Sequence, residues 1–277
     1  MTLPHIPDAA ELPAALERTT HLGIGAHQDD LEFMAYHGIL AGYDQADQWF
    51  TGVTCTDGGG SARTGPFANY SDEEMKAVRH QEQIDAANLG QYAAQFQLGK
   101  PSSTIKDPAD DTLAREIAEI IRKTRPQTIY THQPADKHAT HIGVFLSTLQ
   151  ALRSLPAEFH PQEFLGCEVW RDLDWLPDAK KVALNVSANP ELAEKLNTIF
   201  QSQIAGGKNY HHAVIGRRTA NATFSNPHAT DDASQIIFAI DMMPLLREPS
   251  LSVADFILSL VDEFRSEVAS ALTTLGA

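Results

Sequence analysis

Strand-like and helix-like segments alternate along most of this chain, and no other feature of the sequence constrains the fold as strongly. The strand-like segments are residues 20–28, 49–56, 92–98, 128–131, 164–170 and 182–186. The segments with helical spacing of apolar residues are 31–40, 71–90, 111–123, 142–152, 191–204 and 253–271. This order is typical of βαβ units, so it predicts a mainly parallel sheet with helices on both faces.

The chain shows no feature that divides it into separate domains. It contains no internal repeat, no low-complexity tract and no Pro/Gly linker. A single α/β domain of this length is ordinary. We therefore predict one domain over residues 1–277, with a core at about 18–220 and an appended segment at 221–277 that ends in a helix.

Composition narrows the class of protein. Of 277 residues, 43% are hydrophobic, enough for a sizeable core, and the formal net charge is −15. Such a charge repels phosphate backbones and anionic lipids, so we predict a small-molecule substrate and neither nucleic acid nor membrane as a partner.

No apolar run approaches the ~20 residues of a membrane span. Cys55 and Cys167 lie in apolar segments, as buried thiols do, which predicts a cytoplasmic protein. A homo-oligomer is left open.

Two clusters of polar residues follow predicted parallel strands. The first contains His27, Asp29 and Asp30, and the second contains His138 and His141. Ligands of open α/β sheets bind at the carboxyl ends of the strands. A catalytic zinc site has three protein ligands of nitrogen or oxygen type, and His27, Asp30 and His141 supply such a set without thiolate. Asp29 then stands beside the metal as a carboxylate that is not a ligand.

Other roles are open to the same residues. Asp29 or Asp30 can cap the helix that begins near Leu31, because Asp is a favoured N-cap residue. His138 and His141 can be solvated surface residues at helical spacing. The argument for a site rests on the conjunction of the two clusters at one edge of the sheet.

The motifs resemble those of the PIG-L/LmbE-like zinc-dependent de-N-acetylases. The stretch Ala-His-Gln-Asp-Asp-Leu-Glu at 26–32 is similar to the first motif of that superfamily, A-H-P-D-D followed by E. Residues 134–141 are similar to its second motif, P-x-D-x-H-x-D-H, while 79–82 and 86–90 match an R-x-x-E and an A-x-x-L-G helix end. The chain departs from these motifs at Gln28, where Pro is usual, and at Thr140, where many members have Asp.

The resemblance implies a Rossmann-like fold and specific residue roles. It implies that Zn²⁺ is bound by His27, Asp30 and His141, that Asp29 is the general base and that His138 assists the tetrahedral intermediate. These roles suit a metal that lowers the pKa of water and a carboxylate that moves its proton.

Arg79 and Asp136 are predicted to bind the substrate. For Arg79 the resemblance suggests this role, whereas on the residues alone Arg79 and Glu82 can form an exposed ion pair one helical turn apart. Asp136 is also a candidate to stabilise a charged His138, which a helix N-terminus would disfavour.

The predicted activity is removal of an N-acetyl group from an amino sugar or a related small molecule by metal-activated water, with Zn²⁺ as the cofactor. One alternative is a zinc-dependent hydratase, or another lyase, that acts on an unsaturated acid. A less favoured alternative is a metal-binding protein without catalysis, which has no need of Asp29.

The sequence limits the chemical class of the substrate only through the residue types that lie near the predicted loops. Candidate pocket residues are Trp170, Trp175, Tyr210, His211 and His212, although core packing explains aromatic residues equally well. Positive charges near the loops are Arg63, Arg79, Lys208, Arg217 and Arg218. An acidic group on a substrate would have to meet one of these, unless all five are solvated surface charges.

Overall fold

The fold is a seven-stranded sheet with helices on both faces, as seen in a computed structural model that describes residues 3–277. The strands are β1 (His21–Gly25), β2 (Phe50–Thr56), β3 (Ala94–Lys100), β4 (Thr128–His132), β5 (Glu163–Cys167), β6 (Lys181–Asn185) and β7 (Ile236–Asp241). Their order in the sheet is β3-β2-β1-β4-β5-β7-β6. The first five are parallel, and β7 pairs antiparallel with both β5 and β6. The predicted α/β class and mainly parallel sheet are confirmed.

Twelve α-helices connect and flank these strands within residues 3–277. They are α1 (Leu12–Glu17), α2 (Asp30–Met34), α3 (Tyr36–Gly42), α4 (Asp72–Leu89), α5 (Ser102–Ile105), α6 (Thr112–Thr124), α7 (Ala139–Ser154), α8 (Pro190–Ile199), α9 (Gln201–Ile204), α10 (Tyr210–Thr223), α11 (Pro244–Arg247) and α12 (Val253–Thr274). None of the helices in this part of the chain is long and apolar enough to cross a membrane.

Two apolar clusters cover the two faces of the sheet. On one face Leu22 and Ile24 of β1 pack with residues of α1, α6, α7, α11 and α12. On the other face residues of α2, α3, α4 and α8 pack with residues of β2, β4 and β5. The alternation of strand side chains separates the two sets, because successive residues point to opposite faces. Cys55 and Cys167 are buried and free, as predicted.

The structure differs from the sequence analysis at several boundaries. The helix predicted over residues 31–40 is two short helices that break at Ala35, and the one predicted over 191–204 breaks at Phe200. Strand β7 and helix α10 were not predicted. Because β7 lies inside the sheet, the segment 221–277 contributes a strand as well as the terminal helix α12. The proposed domain limits stay a prediction.

Helix α4 carries one predicted functional residue to the site. Ser71 and Glu74 form the reciprocal capping box that the S-x-x-E pattern indicates. The buried face of α4 includes Arg79 and Glu82. Glu82 accepts hydrogen bonds from the backbone N–H and the hydroxyl of Ser202, at 2.7 and 2.6 Å. The alternative of an exposed Arg79–Glu82 ion pair is therefore wrong.

Glycines let α2 approach the sheet, which positions the residues at its start. A Cβ atom added at Gly52 would lie 2.0 Å from Oε1 of Gln95 and 2.8 Å from Cδ1 of Leu31. Both neighbours are buried, and the Gln95 amide also donates hydrogen bonds to Thr54 and to the Phe96 carbonyl. Leu31 directly follows Asp30, so the space at Gly52 helps to set where Asp30 lies.

We expect Gly52→Ala to lower the free energy of unfolding by about 1–3 kcal/mol, because the added methyl group overpacks a closed interior. The matched control is Gly216→Ala in α10, where an added Cβ meets nothing within 4 Å. That change should raise stability by about 0.5–1 kcal/mol through helix propensity. Urea denaturation of both variants measures the difference, and equal stabilities would contradict the packing argument.

Candidate metal centre and active-site pocket

The two polar clusters meet at the point where the strand order reverses. From β1 the chain proceeds outward through β2 and β3, then returns to β4 on the other side of β1. Open α/β sheets form a ligand crevice at such a switch point, beside the carboxyl ends of the strands. Residues 27–32 follow β1 and residues 133–141 follow β4, so the fold brings the predicted site residues together.

The turn after β1 holds Asp29 in an uncommon conformation. Asp29 has φ 104° and ψ −30°, in the region that favours glycine. Neither Asp29 nor Asp30 makes a side-chain cap to α2; instead, the Asp30 carboxylate accepts a 2.7 Å hydrogen bond from the backbone N–H of His27. The interpretation of these residues as helix caps is therefore wrong. Strained residues held by their surroundings are a recurrent feature of functional sites.

Three electron-pair donor atoms converge between the strand ends. Nδ1 of His27 lies 3.2 Å from Oδ2 of Asp30 and 3.2 Å from Nε2 of His141, and these last two atoms are 3.4 Å apart. Ligand atoms about 2.0–2.1 Å from a tetrahedral zinc ion lie about 3.3–3.4 Å apart. The triangle formed by His27, Asp30 and His141 therefore has the edge lengths of one face of a zinc tetrahedron.

Hydrogen bonds favour a free lone pair on His141. Its Nδ1 is 3.0 Å from the acceptor Oδ2 of Asp136, so in a neutral ring the proton lies on Nδ1 and the lone pair of Nε2 faces His27 and Asp30. Among the described residues, Asp30, His132 and His141 form a further group whose donor atoms lie within 4.8 Å of one another. However, Nε2 of His132 already accepts the backbone N–H of Ala26 at 2.9 Å. His132 is therefore a neighbour rather than the best third ligand.

Charges around Asp30 keep it ionised. Burial alone would raise its pKa, but the facing imidazoles of His141 and His132 outweigh burial and hold the pKa of Asp30 well below its usual value. Burial lowers the pKa of His132 to about 4, with His141 adding to the effect. Burial lowers the pKa of His141, but Asp30 and Asp136 outweigh burial and raise it. A metal ion binds neutral imidazole, so binding here would release a proton from His141.

Asp29 points to the other side of the turn and contacts Arg79. Its Oδ2 lies 3.6 Å from Nη2 of Arg79, and burial raises the pKa of Asp29 well above its usual value although Arg79 opposes the shift. Arg79 is buried and donates 2.5 Å hydrogen bonds to the Gln28 carbonyl and to the Ser61 hydroxyl. Arg79 thus braces the turn that carries Asp29, and it also lines the cavity described below.

His138 lies at the start of α7 with one ring nitrogen engaged. Its Nδ1 accepts a 3.3 Å hydrogen bond from the backbone N–H of Thr140, which leaves the proton of a neutral ring on Nε2. Burial, followed by the neighbouring His141 and His27, lowers the pKa of His138 to about 4. His138 also belongs to a group of possible metal ligands with His27 and His141, whose donor atoms lie within 4.8 Å of one another.

Asp136 is turned away from the cavity. Besides its contact with His141, its other oxygen accepts backbone N–H groups of Lys137 and His138, at 2.5 and 3.3 Å. Asp136 is buried and does not line the cavity. Its contacts are those of a carboxylate that orients a neighbouring histidine, whereas a substrate contact was predicted. Asp136 opposes the lowering of the His138 pKa, but burial outweighs it and the ring stays neutral.

One cavity of about 620 Å³ opens on the candidate metal centre. It includes His27, Asp29, Asp30, Arg79 and His138, together with the predicted Trp170 and Tyr210. Lys208, Arg217 and Arg218, predicted as charges near the loops, also line it, whereas sequence analysis missed other lining residues, including Phe33, Glu168 and Val214. Of the remaining candidates, Trp175 packs against the core, while His211 and His212 lie around a separate, smaller pocket.

The two departures from the motifs are accommodated locally. The Gln28 side chain donates to the Thr56 carbonyl at 3.3 Å, and its own backbone carbonyl accepts from Arg79. Thr140 is buried at the cavity wall, where its backbone N–H donates to His138. Neither substitution removes a donor atom from the cluster of His27, Asp30 and His141.

Comparison with known proteins agrees with this geometry. The family model described as GlcNAc-PI de-N-acetylase, PIG-L, matches residues 22–152. The chain is 28% identical over 153 residues to the uncharacterized deacetylase YaiS of Escherichia coli (strain K12), a match that covers 54% of this chain and 76% of the relative.

Solved structures share the fold. A conserved protein of Thermus thermophilus has a TM-score of 0.61 at 16% identity and covers 81% of this chain and 94% of its own. The 4-carboxy-2-hydroxymuconate hydratase of Pseudomonas putida has a TM-score of 0.60 at 14% identity, with 81% and 95% covered. The N,N'-diacetylchitobiose deacetylase of Pyrococcus horikoshii has a TM-score of 0.58 at 15% identity, with 84% and 88% covered. The matched segment contains both polar clusters, and over these residues the chain is similar to the PIG-L/LmbE-like de-N-acetylases.

Proposed function

We propose that this protein is a zinc-dependent hydrolase that removes an N-acetyl group from an amino sugar or a related small molecule. The family match and the relative YaiS support hydrolytic deacetylation; the zinc ion and the sugar are the proposed details. The observation that carries the proposal is the triangle of His27, Asp30 and His141, with edges of 3.2–3.4 Å, next to a buried carboxylate that is outside the triangle.

In this proposal His27, Asp30 and His141 hold the metal. Zinc in a site of two imidazoles and one carboxylate supplies Lewis-acid chemistry, polarising a carbonyl group and lowering the pKa of water. The donor set fits, because Nδ1 of His27 and Nε2 of His141 have no backbone partner. Oδ2 of Asp30 accepts the backbone N–H of His27, but a carboxylate oxygen has a second lone pair for a metal. The cavity of about 620 Å³ is large enough to admit the acetamido group of a substrate to this point.

Asp29 is the proposed general base. It borders the cavity, lies outside the donor triangle, and has a pKa raised by burial, which makes it a stronger proton acceptor than an exposed carboxylate. Arg79 keeps Asp29 in place by bracing the Gln28 carbonyl. The same carboxyl group can deliver the proton to the departing amine.

His138 is the proposed hydrogen-bond donor to the substrate oxygen. The Thr140 amide fixes its tautomer, so a neutral ring presents Nε2–H to the cavity. A fixed donor of this kind stabilises the negative charge that develops on the carbonyl oxygen during attack. Its low pKa, about 4, keeps the ring neutral at physiological pH.

The alternative chemistry, hydration of an unsaturated acid, needs the same base and metal, and a hydratase shares the fold. Products separate the two reactions. We expect acetate and a free amine from members of a panel of N-acetylated amino sugars, and no hydration of 4-carboxy-2-hydroxymuconate. Hydration of that acid without acetate from any panel member would overturn the deacetylase proposal.

Asp136 is proposed to orient His141 rather than to bind substrate. Asp136→Asn removes the charged acceptor for the His141 Nδ1 proton, and we expect zinc affinity to fall by about 10–100-fold. Asp57→Asn is the matched control, because Asp57 lines the same cavity but pairs with Lys76 at 3.2 Å. Competition for zinc with a chelator measures both affinities. An unchanged affinity in Asp136→Asn would contradict the orienting role.

We also propose a cytoplasmic location, supported by two buried free cysteines that suit a reducing compartment.

A further inference from the structure

Helix α10 forms one wall of the active-site cavity and carries charge along it. Tyr210, Val214 and Arg217 recur at intervals of four and three residues, so they share one helix face, and all three line the cavity. Burial raises the pKa of Tyr210 to about 12, and the nearby charges of Asp29 and Asp30 add to this shift. Arg217 and Arg218 lie two turns further along the same wall.

Arg218 is a buried cation whose donors are mostly unused. Its side chain lines the cavity, yet the residue is only 2% exposed. Nη2 donates to the Glu32 and Phe33 carbonyls, at 2.7 and 3.0 Å, and the guanidinium carbon lies 4.8 Å from the centre of the Tyr36 ring. Nε and Nη1 have no hydrogen-bond partner, and within residues 3–277 no carboxylate lies within 4.0 Å of the guanidinium.

A purely structural role explains only part of this arrangement. The two carbonyl contacts brace the end of α2, and Nη2 alone provides them. The remaining Nε–H and the two Nη1–H groups are buried without acceptors, which is unfavourable unless a ligand supplies them. Guanidinium N–H groups pair most strongly with carboxylate and phosphate oxygens.

The charges nearby leave this part of the cavity positive. Arg217 donates to the Val169 carbonyl, and the Lys208 ammonium lies 5.2 Å from the centre of the Trp170 ring. The acidic neighbour Glu168 is already held by Asn221 at 2.5 Å and by the backbone N–H groups of Leu173 and Phe238. Lys208, Arg217 and Arg218 thus line the cavity beside an internally bonded Glu168, while Asp29, Asp30 and Asp57 follow strands β1 and β2.

We propose that Arg218, with Arg217 and Lys208, forms an anion-binding subsite of the active-site cavity. The inference rests on the proposed function in naming the substrate class: an N-acetylated compound that also carries a carboxylate or a phosphate group. Phe33, Trp170 and Ile237 line the same cavity, and apolar surroundings of this kind strengthen charge-assisted hydrogen bonds.

The first test measures binding without any amide in the ligand, so it does not depend on the proposed reaction. Calorimetric titrations of the zinc-loaded protein compare cellobiose with cellobiouronic acid and with cellobiose 6′-phosphate. We expect at least one of the two anionic ligands to bind about tenfold or more tightly than cellobiose, as charge-assisted hydrogen bonds at one site allow. The better of the two identifies the group as carboxylate or phosphate. Equal binding of all three sugars would overturn the subsite.

The variants assign this preference to Arg218. Arg218→Met should abolish the preference for the anionic ligand, whereas Arg115→Gln, which alters an exposed arginine on α6, should keep it. Arg218→Lys retains the charge and should keep part of the preference, and this variant decides the matter if Arg218→Met does not fold. A preference that is unchanged in a folded Arg218 variant would refute the assignment.

A kinetic comparison separates the subsite from the reaction. Acetate release is measured from glucuronyl-N-acetylglucosamine and from N,N'-diacetylchitobiose, which have the same number of rings and differ in charge. We expect Arg218→Lys to raise KM for the acidic sugar with little change in kcat, and to leave KM for the neutral sugar unchanged. No acetate from either sugar would count against the proposed function, while the calorimetric preference would still support or refute the subsite.

Discussion

Asp29→Asn is expected to lower kcat for deacetylation by about 10²–10⁴-fold while the protein still binds one zinc ion per chain. Asparagine has the shape of aspartate and also tolerates positive φ, so the turn at φ 104° should survive the change. What is lost is the carboxylate that accepts and returns the proton. Initial rates of acetate release, together with zinc measured in the same samples, test this expectation.

The effect of Asp29→Asn must be distinguished from a general loss of charge in the cavity. Asp57→Asn serves as the control, because it removes another carboxylate from the cavity lining. We expect that variant to keep kcat within a few-fold of the wild-type value. If Asp29→Asn lost zinc while Asp30→Asn kept both zinc and activity, the roles of the two neighbours would be the reverse of those proposed.

Removal of any one side chain of the donor triangle is expected to leave almost no zinc on the protein and almost no activity. His27→Ala, Asp30→Ala and His141→Ala each leave two ligands where a catalytic zinc site has three. Asp30→Ala also removes the negative charge that the surrounding imidazoles stabilise. Zinc measured after dialysis against a weak chelator quantifies the loss.

His138→Gln is the informative comparison for these three variants. His138 lies near both His27 and His141, yet we propose that it donates a hydrogen bond to substrate and does not bind the metal. The Gln variant should therefore retain zinc at the wild-type level and lose activity. Loss of zinc in His138→Gln would make His138 a ligand and would require a different assignment of the triangle.

The alternation of strands and helices predicted the architecture because each element has its own apolar periodicity. The same alternation placed residues 27–32 and 133–141 at neighbouring strand ends, since connections in parallel sheets return to the same edge. The capping box at Ser71 and Glu74 could also be predicted, because its two hydrogen bonds are local in sequence. The predictions that held thus depend on local periodicity, on local hydrogen bonds or on the rules that connect parallel strands.

Contacts between distant segments could not be read in this way. Nothing near Asp136 in the sequence indicates that its carboxylate turns toward His141, and nothing at Asp29 indicates a positive φ. Strand β7 was missed although its sequence is apolar, because it follows a polar stretch and pairs with strands that lie far earlier in the chain. The apolar residues on the cavity face of α10 are too few for a clear helical stripe, since Arg217 and Arg218 occupy positions where a core helix would have apolar side chains.

Titration of zinc into metal-free protein, with acetate release as the readout, tests the central claim most directly. The account predicts that the metal-free protein is inactive, and that activity rises in proportion to added zinc until one ion per chain is bound. It also predicts that His141→Ala shows no such rise. Full activity in the metal-free protein, or a rise in His141→Ala that matches the wild type, would contradict metal-dependent deacetylation at His27, Asp30 and His141.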